Sequence, residues 1–200
     1  MRDMIKMVVV LTCLTSLSGL LLSFVEMKTR IPIEESVLKF EKAPAIEQIF
    51  PVDSVSNDPI TERFNIEKDG TKLQVFPAKL ADGNKAVAFE TVDGGGYGGE
   101  IGLMVGVNLA TDKVIAVRVT TSSETKGFGS KAKDEPDFVA QFADKSIDTN
   151  FALKNEGVID AISGATVTSV ALSRAATEAQ KLYKQFKSEI EQKIQFNFWF

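Results

Sequence analysis

Histidine is absent from the 200 residues, and cysteine occurs once. Those two gaps close off most inorganic and nucleophilic chemistry within this chain. A His-ligated metal, a thiolate-ligated iron–sulfur cluster, an internal disulfide and any triad that uses histidine are excluded. If the chain takes part in redox chemistry, an organic cofactor has to supply it. Excess positive charge is missing as well. Lys and Arg number 23 against 27 Asp and Glu, for a net charge of -4, which gives no electrostatic footprint for nucleic acid. The single thiol, Cys13, sits in the first apolar run, where a thiol packed in a helix or facing lipid is the default.

What is present begins with that run. Residues 7–25 carry no Asp, Glu, Lys or Arg. As a helix the segment is roughly 28 Å long at ~1.5 Å per residue, close to the hydrocarbon thickness of a bilayer. No small-x-small site closes it, since Val25-Glu26-Met27-Lys28 follows, so an uncleaved anchor is expected rather than a signal peptide. Arg2 and Lys6 precede the run, while Lys28 and Arg30 follow it beside Glu26. The positive-inside rule leans toward a cytoplasmic N-terminus. Function then resides in residues 30–200.

Residues 34–50 read as a short helical linker interrupted at Pro44, and 51–60 as loop. From Glu62 the pattern turns β-like, with strand candidates at 72–76, 85–92, 100–109 and 113–120 and turns at Asp69-Gly70 and Asp82-Gly83. In the fourth candidate Val114, Ala116, Arg118 and Thr120 alternate with Ile115, Val117 and Val119, as a half-buried strand does. A helix is expected within 131–145, best after Pro136. The final helix shows Leu172, Ala175, Ala179, Leu182, Phe186, Ile190 and Ile194 at spacings of three and four. The fold class is α+β: a single N-terminal transmembrane helix, then one domain with a mostly antiparallel or mixed sheet packed by helices. The expected division is an anchor at 1–29, a helical linker at 30–60, a cofactor domain at 61–195 and an aromatic tail at 196–200.

The string Asp160-Ala161-Ile162-Ser163-Gly164-Ala165-Thr166-Val167-Thr168-Ser169 is a small-residue turn entering that last helix. The first amides of a helix lack intrahelical acceptors and stand at the positive end of its dipole, where a phosphate is well placed. Gly164 lets the backbone come close, Ser163, Thr168 and Ser169 offer hydroxyls, and Asp160 can brace the turn by accepting amide hydrogen bonds. On these features alone, an N-capped turn and an anion site both remain open.

The pattern Asp160-x-x-Ser163-Gly164-Ala165-Thr166 resembles the flavinylation motif of the FMN-binding domain. That domain is found in the G subunit of the Rnf electron-transport complex and in the C subunit of the sodium-pumping NADH:quinone reductase. Gly95-Gly96-Tyr97-Gly98-Gly99-Glu100-Ile101 resembles the family's glycine-rich turn and strand. Ser123-Glu124-Thr125-Lys126-Gly127-Phe128-Gly129 resembles its Glu-Thr-Pro-Gly-Leu-Gly loop, with Lys126 in place of the proline and Phe128 in place of the leucine.

The resemblance implies one FMN, esterified through its phosphate to Thr166 by a dedicated flavin transferase. It places Asp160, Ser163, Gly164, Ala165 and Thr168 around the attachment point, with Thr168 two positions past the motif and not the attachment residue. Glu124, Thr125 and Gly127 belong to the loop expected beside the isoalloxazine ring, and for Phe128 in that loop a contact with the ring and a contact with the core both stay open. The resemblance further implies an electron carrier outside the cytoplasm on a bacterial inner membrane, with the other Rnf subunits as partners. No metal is expected, and no residue is expected to act as acid, base or nucleophile in turnover. The corresponding quinone-reductase subunit and an anchored module without redox function, for binding or assembly, are the alternatives.

Overall fold

The charge-free run at 7–25 forms the middle of α1, Arg2–Val37, in which no residue is buried. The structure is a computed structural model, and it describes residues 1–127 and 129–197. Phe128 and the tail residues Phe198, Trp199 and Phe200 therefore lie outside the described residues. By length and composition the N-terminal helix is long and apolar enough to cross a membrane. It does not end near Arg30: Pro32 is accommodated inside it. A π-helical turn, Leu38–Lys42, follows, and then α2, Ala43–Ile49. Pro44 does not interrupt the linker helix as expected. It stands in the first turn of α2, where a missing N–H costs no intrahelical bond.

The chain forms two compact units, Met1–Phe40 and Glu41–Phe200. The second is built on a meander of five antiparallel strands in sequential order. These are β1 Phe64–Lys68, β2 Thr71–Lys79, β3 Lys85–Asp93, β4 Ile101–Asn108 and β5 Lys113–Ser122. Asp69 and Gly70, both with positive φ (52° and 77°), make the tight turn between β1 and β2. Such a turn follows the twist of the two strands it joins.

Each face of the sheet has its own cover. Val75, Phe89, Leu103, Val105, Val117 and Val119 lie in one buried cluster with α5, Thr166–Asn197. The expected stripe on α5 is there: Leu172, Ala175, Ala179, Phe186, Ile190 and Ile194 are buried, with Leu182 partly so and Tyr183 added. The ring of Tyr183 stacks on Phe89 with centroids 6.5 Å apart. Full burial of a Leu, Ile or Phe side chain stabilises by about 1.5–3 kcal/mol. The short helices α3 (Lys131–Asp134) and α4 (Pro136–Ala140) bring Ala132, Phe138 and Val139 to the same core. On the opposite face α2 packs against β4 and β5. Gly106 lets it do so, because a Cβ there would run into the Ile49 side chain.

The alternation expected along β5 does not hold throughout. Val107 pairs with Val114 while Gly106 pairs with Ala116, so Ile115 is an extra residue. This bulge moves Val114 onto the same face as Val117 and Val119.

Ion pairs tie α5 down along its length. Burial by itself raises the Asp112 carboxyl, and hydrogen bonds from Lys187 and Tyr183 outweigh it, leaving Asp112 below the ordinary range. The Arg174 guanidinium, bonded to both carboxylate oxygens at 2.8 and 3.0 Å, likewise lowers Asp93. Lys68, 2.7 Å away, holds Glu189 at about 2.

Two outcomes are expected. Gly106→Val should lower stability by about 1–3 kcal/mol through overpacking, read as a fall in the urea midpoint of the full chain. The carboxylates above have folded pKa values below their unfolded ones, so their stabilisation is complete above about pH 4 and is lost as pH falls through the folded values. Urea midpoints measured between pH 7 and pH 2 should stay level and then drop below about pH 4. Asp112→Asn should make that drop shallower.

Candidate functional site

The start of α5 is prepared by the turn before it. Gly164 has φ 79°, in the left-handed region that a side chain disfavours. The Ala165 amide donates to Ile162 O at 3.0 Å, and Ser169 N–H donates to Ala165 O at 3.0 Å. The N–H groups of Thr166, Val167 and Thr168 belong to the first turn, which by helix geometry has no acceptors within the helix.

Three separate stretches of chain meet at this helix start around a cavity of about 540 Å³. Gly164, Ala165, Thr166, Val167 and Thr168 come from the motif, Glu124, Thr125 and Gly129 from the loop after β5, and Tyr97 from the turn between β3 and β4. Thr166 is exposed and lines the cavity. Thr168 is only 1% exposed, and its hydroxyl donates to Glu124 Oε2 at 2.9 Å. The two threonines of the first turn are thus separated by environment. One presents an accessible oxygen, and the other is held in a hydrogen bond inside the wall.

Other expected residues lie elsewhere. Ser169 is buried and accepts from Ile162 N–H at 2.9 Å while donating to Ala165 O at 3.0 Å. It takes the bracing role that the sequence suggests for Asp160. The Asp160 carboxylate instead meets Lys154 Nζ at 2.7 Å, and the Asp160 backbone is bonded in both directions to the Gln141 side chain. Asp160 and Ser163 line a neighbouring depression of about 260 Å³ with Lys131 and Gln141. Gly127 has φ 79° and donates its N–H to Ser130 Oγ at 3.1 Å, shaping the loop.

Sequence reasoning names the glycine turn without assigning Tyr97 a place in the site. Tyr97 is 74% exposed and lines the cavity. An exposed aromatic among glycines is the available signal. The turn that carries it is pinned, since Asp93 Oδ1 accepts from Gly95 N–H at 2.8 Å and from Arg174 Nη2 at 2.8 Å. A Cβ at Gly95 would collide with that guanidinium.

The cavity suits a phosphorylated heterocycle. Its volume lies within the range of small-molecule sites, roughly 300–1,000 Å³. First-turn amides and an accessible hydroxyl gather at one side, and Tyr97 and Val167 provide apolar surface.

Comparison with known proteins agrees with this geometry. Residues 96–181 match the FMN-binding domain family. The chain is 32% identical over 168 residues to the G subunit of the ion-translocating oxidoreductase complex of Shewanella piezotolerans, covering 78% of this chain and 76% of that protein. It is 38% identical over 101 residues to the G subunit of the proton-translocating ferredoxin:NAD(+) oxidoreductase complex of Clostridium ljungdahlii, covering 48% of this chain and 54% of that one. Among solved structures, the C subunit of the Na(+)-translocating NADH-quinone reductase of Parabacteroides distasonis superimposes with a TM-score of 0.51 at 18% identity, covering 66% of this chain and 78% of that one, which establishes a shared fold. With an FMN-binding domain built around the start of α5 and sequence similarity along most of its length, the chain belongs to the family of ion-translocating oxidoreductase complex G subunits.

Proposed function

We propose that this chain is a membrane-anchored electron carrier that holds one FMN in the cavity at the start of α5, joined covalently to Thr166, within an ion-translocating oxidoreductase complex. The observation that carries the reading is the exposed Thr166 on the first turn of a helix, in a cavity lined by the two other segments that resemble the family's motifs. When bound, FMN supplies the reversible electron acceptance that no side chain of this protein offers.

The chain's own residues bind and orient. First-turn amides of α5 stabilise the phosphate charge, and Gly164 lets the backbone approach it. Attachment exchanges the Thr166 O–H bond for an O–P bond. The proton is released, and the former leaving group departs from phosphorus with the bonding pair. That balance calls for a flavin nucleotide whose phosphate is activated as an anhydride, handled by a flavin transferase. Asp160 and Ser163 line the adjoining depression rather than the cavity. In this reading they serve as features the transferase recognises.

Residues 1–29 anchor, 30–60 connect and 61–195 hold the cofactor, with α2 both connecting and covering one sheet face. The N-terminus is cytoplasmic and the cofactor domain lies on the other side of the membrane. Covalent attachment there prevents loss of the flavin. Other subunits of the complex are its partners, since the relatives are named as subunits of a complex.

Thr166→Ala removes one exposed hydroxyl and should cost about 1 kcal/mol or less even if that hydroxyl caps the helix. Flavin that survives denaturation should map by peptide mass to Thr166 in the wild type and be lost in Thr166→Ala. Electron transfer through membranes of equal complex content should be lost with it. Flavin mapped to Thr168 would overturn the assignment of Thr166, and normal turnover by Thr166→Ala without covalent flavin would favour a scaffold that carries no electrons. A second outcome concerns topology: protease added to intact spheroplasts should digest the cofactor domain, and its protection would reverse the assigned orientation.

A further inference from the structure

Among the described residues, Glu124 is the one side chain that bonds to both of the other segments around the cavity. Its Oε2 accepts from Thr168 Oγ1 on α5 at 2.9 Å, and its Oε1 accepts from Gly98 N–H in the Tyr97 turn at 3.3 Å. Three glycines make room for it. A Cβ at Gly96 would meet Oε1, a Cβ at Gly129 would meet Oε2 and Thr168 Oγ1, and a Cβ at Gly98 would strike the Ser123 carbonyl just before it. The carboxylate is half-buried, and Thr168 is almost wholly so.

The far side of the Tyr97 turn is already pinned through Asp93 and Arg174. Its near side, at Gly98, meets the rest of the cavity through Glu124. We propose that Glu124 is a positioning residue: it latches the Tyr97 turn to the first turn of α5 and so sets the aromatic ring opposite the Thr166 hydroxyl, where a planar heterocycle enters. The latch rests on the FMN reading for its ligand but not for its existence.

The chemistry selects a carboxylate. Both partners donate, one from a backbone amide and one from a hydroxyl, and two acceptor oxygens on a single planar group satisfy them together. Glutamine can stand in. Its amide oxygen accepts from Gly98, and the Thr168 hydroxyl can turn to accept from the amide nitrogen. Alanine can satisfy neither partner.

The test uses the full chain in detergent, first without flavin and then after loading by a flavin transferase. Hydrogen exchange in the flavin-free protein reads the latch directly. Exchange at the Gly98 amide should rise about tenfold or more in Glu124→Ala, the equivalent of one hydrogen bond to a charged group, and stay near wild type in Glu124→Gln. Thr168→Val cuts only the arm to α5 and should give an intermediate rise. In the loaded proteins, Glu124→Ala should be flavinylated more slowly and show an altered visible circular dichroism band, with both restored by Glu124→Gln. Unchanged exchange at Gly98 in both Glu124→Ala and Thr168→Val overturns the latch. Should Glu124→Ala fail to fold, Thr168→Val alone decides, and wild-type exchange there overturns it. Altered exchange with no flavin on the wild-type protein overturns the FMN reading and leaves the latch standing. Altered exchange with wild-type loading and dichroism in Glu124→Ala overturns the positioning role.

Discussion

Where the first turn of α5 comes to rest decides everything else about the site, and the seating of that helix on the sheet is what places it. The stripe from Leu172 to Ile194 is buried against β3, β4 and β1, with Tyr183 stacked on Phe89 and the Thr91 hydroxyl donating to Ala175 O at 3.0 Å. Packed apolar contact of this kind is close to rigid, so the position of Thr166 follows from the core several turns away. Polar ties then resist sliding and rotation. Arg174 meets Asp93, Lys187 meets Asp112, and Lys68 meets Glu189. Each partly exposed pair is worth little alone. Together they attach the helix to three different parts of the sheet.

The same anchoring organises the loops. Asp93 takes Arg174 on one side and Gly95 N–H on the other, so the pair that steadies α5 also steadies the turn carrying Tyr97. Loop segments around a ligand are normally the least stable part of a domain. Here the glycine turn, the loop after β5 and the helix start are joined by hydrogen bonds, with glycines where a Cβ would force them apart. A cavity held in that way needs less ordering when a ligand arrives.

Other polar groups on the sheet's second face tie in the segment that leads from the N-terminal helix. Lys42 and Glu90 form an ion pair at 2.9 Å, Glu90 also accepts from the Thr120 hydroxyl, and Glu41 accepts from Thr121 at 2.8 Å. These contacts end a few residues before Glu124 in the chain. The beginning of the second compact unit is thereby fastened to the strand that delivers the cavity loop.

The sequence by itself determined the elements whose signals are local and periodic. The charge-free run, the four strand candidates from 72 to 120, the Asp69-Gly70 turn and the stripe on α5 each depend on neighbouring residues and were legible for that reason. Periodicity does not separate Thr166 from Thr168, since both are hydroxyls on the same helix turn, and only motif resemblance singles out Thr166 as the attachment candidate. Tertiary structure alone decided what depended on partners distant in the chain. The bulge at Ile115 reverses the phase of β5 because pairing with β4 requires it. Asp160 turned to Lys154 and left bracing to Ser169, because the turn lies within reach of a buried hydroxyl from the following helix. Tyr97 and Glu124 acquired their places only once β3, β4 and β5 brought their ends beside α5. Periodicity reports which face of an element is apolar, but a hydrogen bond between residues 44 positions apart exists only after the fold has closed the distance.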